Sequence, residues 1–348
     1  MKNLIDSLAA GRRLSAAELA ALIELEDPAQ LDYLQARAVE KRQAVFGTDV
    51  YIRGLIELSS YCRNDCYYCG LRRSNAQAER YRLLPEQILA CCQKGYQLGF
   101  RTFVLQGGED TWFTEERVAE LISRIKADWP DCALTLSLGE RPRKIYAAWR
   151  KAGADRYLLR HETADARHYG ILHPPELSFA NRRRCLYDLK ELGFQVGAGM
   201  MVGAPFQSSR HLAQDLLFLQ ELQPQMVGIG PFIPHHNTPF ARYKAGSSRT
   251  TLTLLSLTRL LLPESLLPAT TALSTVDDRG RELGILAGAN VVMPNLSPPD
   301  TRKKYLLYDN KASFGLEAAE EIALLKERVQ AIGYQVVVSR GDAPKIRR

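Results

Sequence analysis

The sequence predicts an α/β protein: a parallel (βα)8 TIM-type barrel with an N-terminal helical extension and a C-terminal tail. Three observations predict it. Eight short β-branched or apolar runs alternate with longer helical patterns, which implies parallel strands joined by right-handed crossovers. Several helix candidates have matching start and stop residues. No Gly/Ser linker or low-complexity stretch divides the 348 residues, a length one such barrel accommodates. An open or six-stranded version of the same alternation remains compatible with the pattern.

Residues 1–48 read as the helical extension, where Ser15-Ala16-Ala17-Glu18 has capping-box spacing ahead of a leucine- and alanine-rich run. The barrel is expected over 49–300. Its strands are expected near 50–58, 101–106, 132–138, 155–160, 194–200, 225–230, 267–272 and 289–293. Helices are expected at Pro85–Leu98, Thr114–Ala127, Phe179–Leu192, Ser208–Leu222 and Thr250–Leu261. Pro85 suits a first helical turn, and Gly99 and Gly193 suit positions just past a helix end. Residues 301–348 form a tail expected to pack on the barrel.

Composition narrows the function classes. Hydrophobic residues make up 46% and charged residues 24%, which excludes global disorder. No apolar run reaches the roughly 18 residues of a membrane helix, and the first fifteen residues lack the apolar region of a secretory signal. A cytoplasmic protein is expected. The net charge of +7 is scattered. The groups Arg182-Arg183-Arg184 and Arg302-Lys303-Lys304 are too short for a nucleic-acid stripe. The seven cysteines are an odd count, which argues against a disulfide framework.

Three of those cysteines lie within eight residues. The segment after the first strand contains Cys62-Arg63-Asn64-Asp65-Cys66-Tyr67-Tyr68-Cys69, a C-x3-C-x2-C pattern. Thiolates are soft ligands that select soft metals and iron–sulfur clusters. Structural zinc would require a fourth ligand, for which His161 or Cys92 would have to approach in space. A 4Fe–4S cluster on three cysteines would leave one iron open for chemistry. Cys91, Cys92 and Cys132 read as buried apolar residues.

Barrel chemistry sits at the C-terminal strand ends. Gln106-Gly107-Gly108-Glu109 ends the second strand. Its glycines permit close backbone approach to a ligand, although Gly-Gly-Glu-Asp is also an ordinary turn. Arg160-His161-Glu162 ends the fourth strand. Three ionisable groups there are either paired with one another or functional. Arg182 offers a fork for a carboxylate, while Arg183 and Arg184 read as solvated. The His235-His236 pair lacks metal-site spacing, so Pro231–Pro239 reads as a rigid wall. Met201 and Met293 read as core filler.

With Tyr68 before its last cysteine, the triplet resembles the signature of the radical S-adenosylmethionine (SAM) superfamily. The resemblance implies that the open iron chelates SAM, and that reductive cleavage yields a 5′-deoxyadenosyl radical. The segments YCRNDCYYCGLRR, LQGGED, LTLSLGE, LRHETA, GAGMMVGAP, MVGIGPFIPHHNTP, PATTA and GANVVMPN further resemble the HydE-type maturases of FeFe-hydrogenases, over about residues 1–310. That resemblance implies a 4Fe–4S cluster on Cys62, Cys66 and Cys69. SAM would be held by Tyr68, Gly107, Gly108, Glu109, Arg160, Glu162 and Arg182. A substrate cavity would be lined by Arg53, Thr135, Thr270, Thr271, Tyr305 and Tyr308.

The implied role is assembly of the dinuclear iron subcluster of the hydrogenase H-cluster from an iron–cysteine complex carrying CO and cyanide. Implied partners are a tyrosine-cleaving radical SAM maturase, a scaffold GTPase and a reductant such as flavodoxin or ferredoxin, with no nucleic acid and no membrane. An anaerobic or microaerobic host is expected. Some members carry a second cluster on three late cysteines. Residues 300–348 contain none, so that cluster is expected to be absent. The family is similar to biotin synthase and methylornithine synthase, and a methylornithine-synthase-like mutase is the alternative reading.

Overall fold

The computed structural model describes residues 1–311 and 318–344. Helices α1 (Lys2–Ala9), α2 (Ala16–Ile23) and α3 (Pro28–Phe46) come first. The Ser15 hydroxyl accepts the Glu18 N–H while the Glu18 carboxylate accepts the Ser15 N–H, completing the capping box. Asp27 caps α3 and Gly47 ends it. The chain continues through β1 (Asp49–Ile52), β2 (Gly54–Ser59), α4 (Pro85–Gln97), β3 (Thr102–Gly107), α5 (Glu115–Asp128), β4 (Ala133–Ser137), α6 (Arg143–Ala152) and β5 (Arg156–Leu158). Next come α7 (Ala166–Leu172), α8 (Phe179–Glu191), β6 (Gln195–Val202), α9 (Ser209–Leu222), β7 (Met226–Pro231) and α10 (Ser248–Leu261). It ends with α11 (Thr271–Val276), α12 (Gly280–Leu286), β8 (Val291–Val292), α13 (Pro299–Arg302), α14 (Ala318–Ala331) and β9 (Gln335–Val337).

Strands β2 to β7 pair in sequence order, all parallel. The ring closes through single bridges. Met226 pairs with Leu266, Pro268 with Val291, and Leu55 with Asn295, while β8 pairs with β1. With β1 and β2 sharing one wall position, and residues 266–268 standing as the seventh, this is a TIM-type barrel. Helices cover it with apolar stripes such as Val118, Leu121, Ile122 and Ile125 of α5, all buried. Each such side chain contributes on the order of 2 kcal/mol.

Two strand expectations change. The run expected at 50–58 is interrupted at Arg53, with β1 pairing to β8 and β9, and β2 to β3. The strand expected at 267–272 is reduced to bridges. Pro268 supplies no N–H to a ladder, and the Thr270 hydroxyl accepts the Leu273 N–H, starting α11 instead.

The tail reaches both ends of the barrel. Tyr305 and Tyr308 stand at the mouth. β9 pairs with β1 at the base, where the Arg340 carbonyl accepts from Thr102 Oγ1 and Arg156 Nη2, each at 2.7 Å. Asp342 takes a second bond from Arg156 Nη2 at 2.7 Å. Residues 312–317 and 345–348 of the expected tail lie outside the described residues. Among the described residues, no helix is long and apolar enough to cross a membrane.

Candidate active site

The cysteine loop leaves the top of β2 and is held by its own polar groups. Asp65 takes a two-pronged bond from Arg72, at 2.8 and 2.7 Å, and further bonds from Ser74. The Arg72 guanidinium holds the Asp65 carboxyl well below the usual carboxylate range. Gly70 N–H reaches the Leu307 carbonyl, and Asn75 Nδ2 reaches the Gly70 carbonyl. Cys62, Cys66 and Cys69 are thereby presented to one cavity of about 290 Å³ at the barrel mouth. Their thiols are unpaired with one another.

Burial raises the pKa of all three thiols, pushing Cys69 up to about 12. Such thiols become thiolates when a cationic metal group compensates the charge. Among the described residues, the one set of three metal-type ligands converging within 4.8 Å is His235, His236 and Asp309. The three cysteines do not form a set of that kind. The fourth zinc ligands considered above are elsewhere. His161 is bonded to Asp215, and Cys92 is buried on α4. His235 is itself poorly set for a metal. Its Nδ1 accepts the Asn237 N–H, which leaves the proton on Nε2. Pro231, Phe232 and Ile233 line the cavity, while His236 is exposed and bonded to Asp309.

The β3 and β4 loops lock together over the cysteines. Glu109 N–H points at Cys62 Sγ, 3.4 Å away. The Glu109 carboxylate accepts the Glu140 N–H at 2.7 Å and pairs with Arg63 at 2.9 Å. Gly139, at φ +74°, leaves room for that carboxylate, since a Cβ there would lie 2.1 Å from Glu109 Cγ. Gly108 has a different use from the ligand approach expected of it. A Cβ there would stand 2.2 Å from the Tyr61 carbonyl, so the cysteine loop occupies that space. Gly107, Gly108 and Glu109 all line the cavity.

After β5, side chains alternate. His161 turns outward to Asp215 of α9, Nε2 to Oδ1 at 3.2 Å, while Arg160 and Glu162 face the cavity. Glu162 has φ +66°, the left-handed conformation that non-glycine residues adopt at a cost of about 1–3 kcal/mol. Its Oε2 and Arg160 Nη2 form an ion pair at 3.1 Å, and neither buried atom has a hydrogen-bond partner. Buried polar atoms of this kind are expected to meet a ligand. Arg182 lines the same cavity, with Nε on Glu140 Oε1 at 2.5 Å and Nη1 on the Arg160 carbonyl at 2.6 Å. Arg183 and Arg184 pair at the surface with Glu221 and Asp188.

Tyr68, Tyr305 and Tyr308 line the cavity too. Thr271 opens instead on a neighbouring cavity of about 230 Å³ beside Arg281, Arg302 and Lys311. Thr270 and Thr135 are not part of the mouth cavity's wall. Thr270 caps α11, and Thr135 is buried within β4 with an unpartnered hydroxyl. Arg53 lies at the barrel base, with Nη1 2.9 Å from Met226 Sδ and two other nitrogens unpartnered. It leaves β1 low in the wall, so its side chain does not reach the mouth cavity. Met201, read as core filler, lines the cavity, and Met293 lines its neighbour. Sequence reasoning missed Glu140, Arg63 and His173. The first stands in the expected third strand-end loop, but its pairing with Arg182 spans forty-two positions.

The donor set suits a 4Fe–4S cluster with SAM. Three cysteines supply soft ligands, and Arg160, Glu162 and Arg182 supply charged groups beside them. The comparisons agree. The model of the Radical SAM superfamily matches residues 56–219. The [FeFe] hydrogenase maturase subunit HydE of Thermotoga maritima is 49% identical over 79% of this chain and 78% of its own length. The 3-methylornithine synthase of Methanosarcina acetivorans is 29% identical over 93% of this chain and 91% of its own. The crystal structure of methylornithine synthase superposes with a TM-score of 0.83 at 27% identity, covering 96% of this chain and 97% of that one. This chain therefore belongs to the radical SAM enzymes, which use a 4Fe–4S cluster and SAM, and within them to the HydE family.

Proposed function

We propose that this enzyme acts in maturation of the FeFe-hydrogenase H-cluster, assembling the dinuclear iron subcluster from an iron–cysteine precursor carrying CO and cyanide. The observation that carries the reading is the 49% identity to HydE, together with one cavity that unites the three cysteines with Arg160, Glu162 and Arg182. When bound, the cluster and SAM supply one-electron reductive cleavage to methionine and a 5′-deoxyadenosyl radical.

The chain's residues would bind and shield. Cys62, Cys66 and Cys69 would hold the cluster, and Arg182 and Arg160 the SAM carboxylate. Glu162 and the Glu109 loop would take its polar groups, with Tyr68 and the Pro231–Ile233 wall flanking its aromatic part. Tyr305 and Tyr308 would contact the substrate and keep water from the reacting centre. Arg53 and Thr135 would extend a polar, partly cationic interior beneath it, suited to an anionic complex. A tyrosine-cleaving radical SAM maturase would supply the precursor, and a scaffold GTPase would receive the product.

The test is anaerobic reconstitution with iron and sulfide, then EPR with and without SAM and assay of 5′-deoxyadenosine. Addition of the partner maturases and inactive hydrogenase follows. A SAM-sensitive 4Fe–4S signal with hydrogenase activation supports the reading. The fold likeness to methylornithine synthase favours a second reading, a carbon-skeleton mutase. Turnover of lysine without hydrogenase activation would select it.

A further inference from the structure

An exposed aromatic pair is connected to the cysteine loop through ring contacts. Phe206, in the loop between β6 and α9, is 63% exposed and has φ +65°. Its ring meets that of Tyr243, itself 40% exposed, with centroids 5.6 Å apart. Tyr243 meets Phe240 at 5.4 Å, and Phe240 meets Tyr67 at 6.2 Å. Tyr67 stands between Cys66 and Tyr68. Exposing two large aromatic rings is unfavourable in water, and such a patch marks a contact surface.

Charge defines what would cover it. Arg242 and Lys244 flank Tyr243, and both are exposed. Arg210 lies in the first turn of α9 and Arg167 in the first turn of α7, and both are exposed. His168 reaches the Pro205 carbonyl at 2.9 Å, and its ring stacks on His211 at 4.9 Å, bringing the two helix starts together. Among the described residues, none of these four cations has an ion-pair partner. Of the acids on the adjoining segments, one is ion-paired and two accept hydrogen bonds from neutral groups. Asp165 caps α7, Glu24 accepts from Ser209, and Glu26 pairs with Arg249.

We propose that the Phe206–Tyr243 face docks a small acidic electron-carrier protein and passes its electron along Tyr243, Phe240 and Tyr67 to the cluster held by Cys62, Cys66 and Cys69. The inference rests on the radical SAM reading and deepens it. In the transfer, the carrier is oxidised by one electron and the cluster is reduced by one. Each SAM cleaved consumes that electron, so the carrier must be reduced again for every turnover. Unpaired cations around an apolar centre speed encounter with an acidic protein and set its orientation.

The test uses the reconstituted holoenzyme with a recombinant bacterial flavodoxin as the probe. Binding is measured by calorimetry at two salt concentrations. SAM cleavage is measured twice, with flavodoxin held reduced and with dithionite. Arg242→Glu/Lys244→Glu is expected to weaken binding roughly tenfold and to flatten its salt dependence. Phe206→Ser is expected to slow flavodoxin-driven cleavage at saturating carrier. Both variants should match the unmodified protein with dithionite, which shows an intact fold and site. Lys326→Glu on α14 serves as the charge control. Unchanged flavodoxin binding and unchanged flavodoxin-driven cleavage in these variants would overturn the proposal. Failure of the unmodified protein to cleave SAM with dithionite would overturn the underlying reading instead.

Discussion

Tyr68 donates its hydroxyl proton to Nε2 of His173, 3.1 Å away. The direction follows from the other ring nitrogen. His173 Nδ1 lies 2.9 Å from the Tyr169 carbonyl, which only accepts, so the ring proton is on Nδ1. Burial pulls the His173 pKa down to about 3, keeping the ring neutral at any working pH. The aromatic residue next to Cys69 is thus tethered to α7. His173→Phe should leave iron content unchanged and weaken SAM binding by several-fold, since one lost hydrogen bond is worth about 1 kcal/mol. His173→Gln, which can still accept, should restore part of it. Equilibrium dialysis with labelled SAM checks this, and an unaltered affinity in His173→Phe contradicts it.

Replacing any one of Cys62, Cys66 and Cys69 by Ala should abolish the reconstituted 4Fe–4S chromophore and SAM cleavage. Cys92→Ala should keep both, at a stability cost of about 1 kcal/mol for the small cavity left in the core. Iron and sulfide analysis beside denaturant unfolding separates the two classes.

Asp215 sits behind the site. It accepts from His161 Nε2 and from the Ala164 N–H at 2.5 Å, fixing the loop that carries Arg160 and Glu162. Asp215→Ala leaves one buried and one part-buried donor unpaired, a loss of roughly 1–3 kcal/mol. Melting temperature should fall and the Michaelis constant for SAM should rise. Asp215→Asn, which keeps one acceptor, should lie between. An Ala variant as stable as the unmodified protein refutes the assignment.

At the base, three arginines surround Asp342, and one of them, Arg340, also pairs with Asp155. Asp342 bonds Arg156 and Arg340, and it also feels Arg53. Burial pulls the Arg156 pKa down, whereas the surrounding guanidinium groups hold the Asp342 carboxyl well below its ordinary 3.8. The two directions agree, because the carboxylate has cations in excess and each buried cation has too little anion. With a depressed folded pKa, Asp342 contributes stability fully above about pH 4 and loses it as pH falls below that. Asp342→Asn should therefore destabilise the protein at pH 7 and narrow the gap between variant and parent at pH 3. Urea midpoints at both pH values decide, and a variant gap that is constant with pH goes against it.

Much of this was legible in the sequence because it is local. Pro85, Ser15, Glu18 and Gly193 mark helix ends through neighbours within four residues, and the helices appear where those signals stand. The cysteine spacing is likewise local. At the seventh wall position, expected as a strand at 267–272, apolar character does not distinguish a ladder from isolated bridges. Pairings distant in sequence left no local trace. Examples are Arg182 with Glu140, Tyr68 with His173, and β1 with β9. Arg53 shows the same limit: the run 50–58 reveals neither the break between β1 and β2 at this residue nor the level to which its side chain reaches.

The pairing of β1 with β9 has a consequence for biosynthesis. A chain emerges from the ribosome with its N-terminal part first. β1 is made early, while its partner and Asp342 are made late. Until they arrive, the base stands open, and Arg53 and Arg156 lack the anion that balances them. Completion of the barrel base therefore waits on synthesis of residues 335–342. A prematurely terminated product is left with exposed edge and uncompensated charge, the features by which degradation machinery sorts unfinished chains from finished ones.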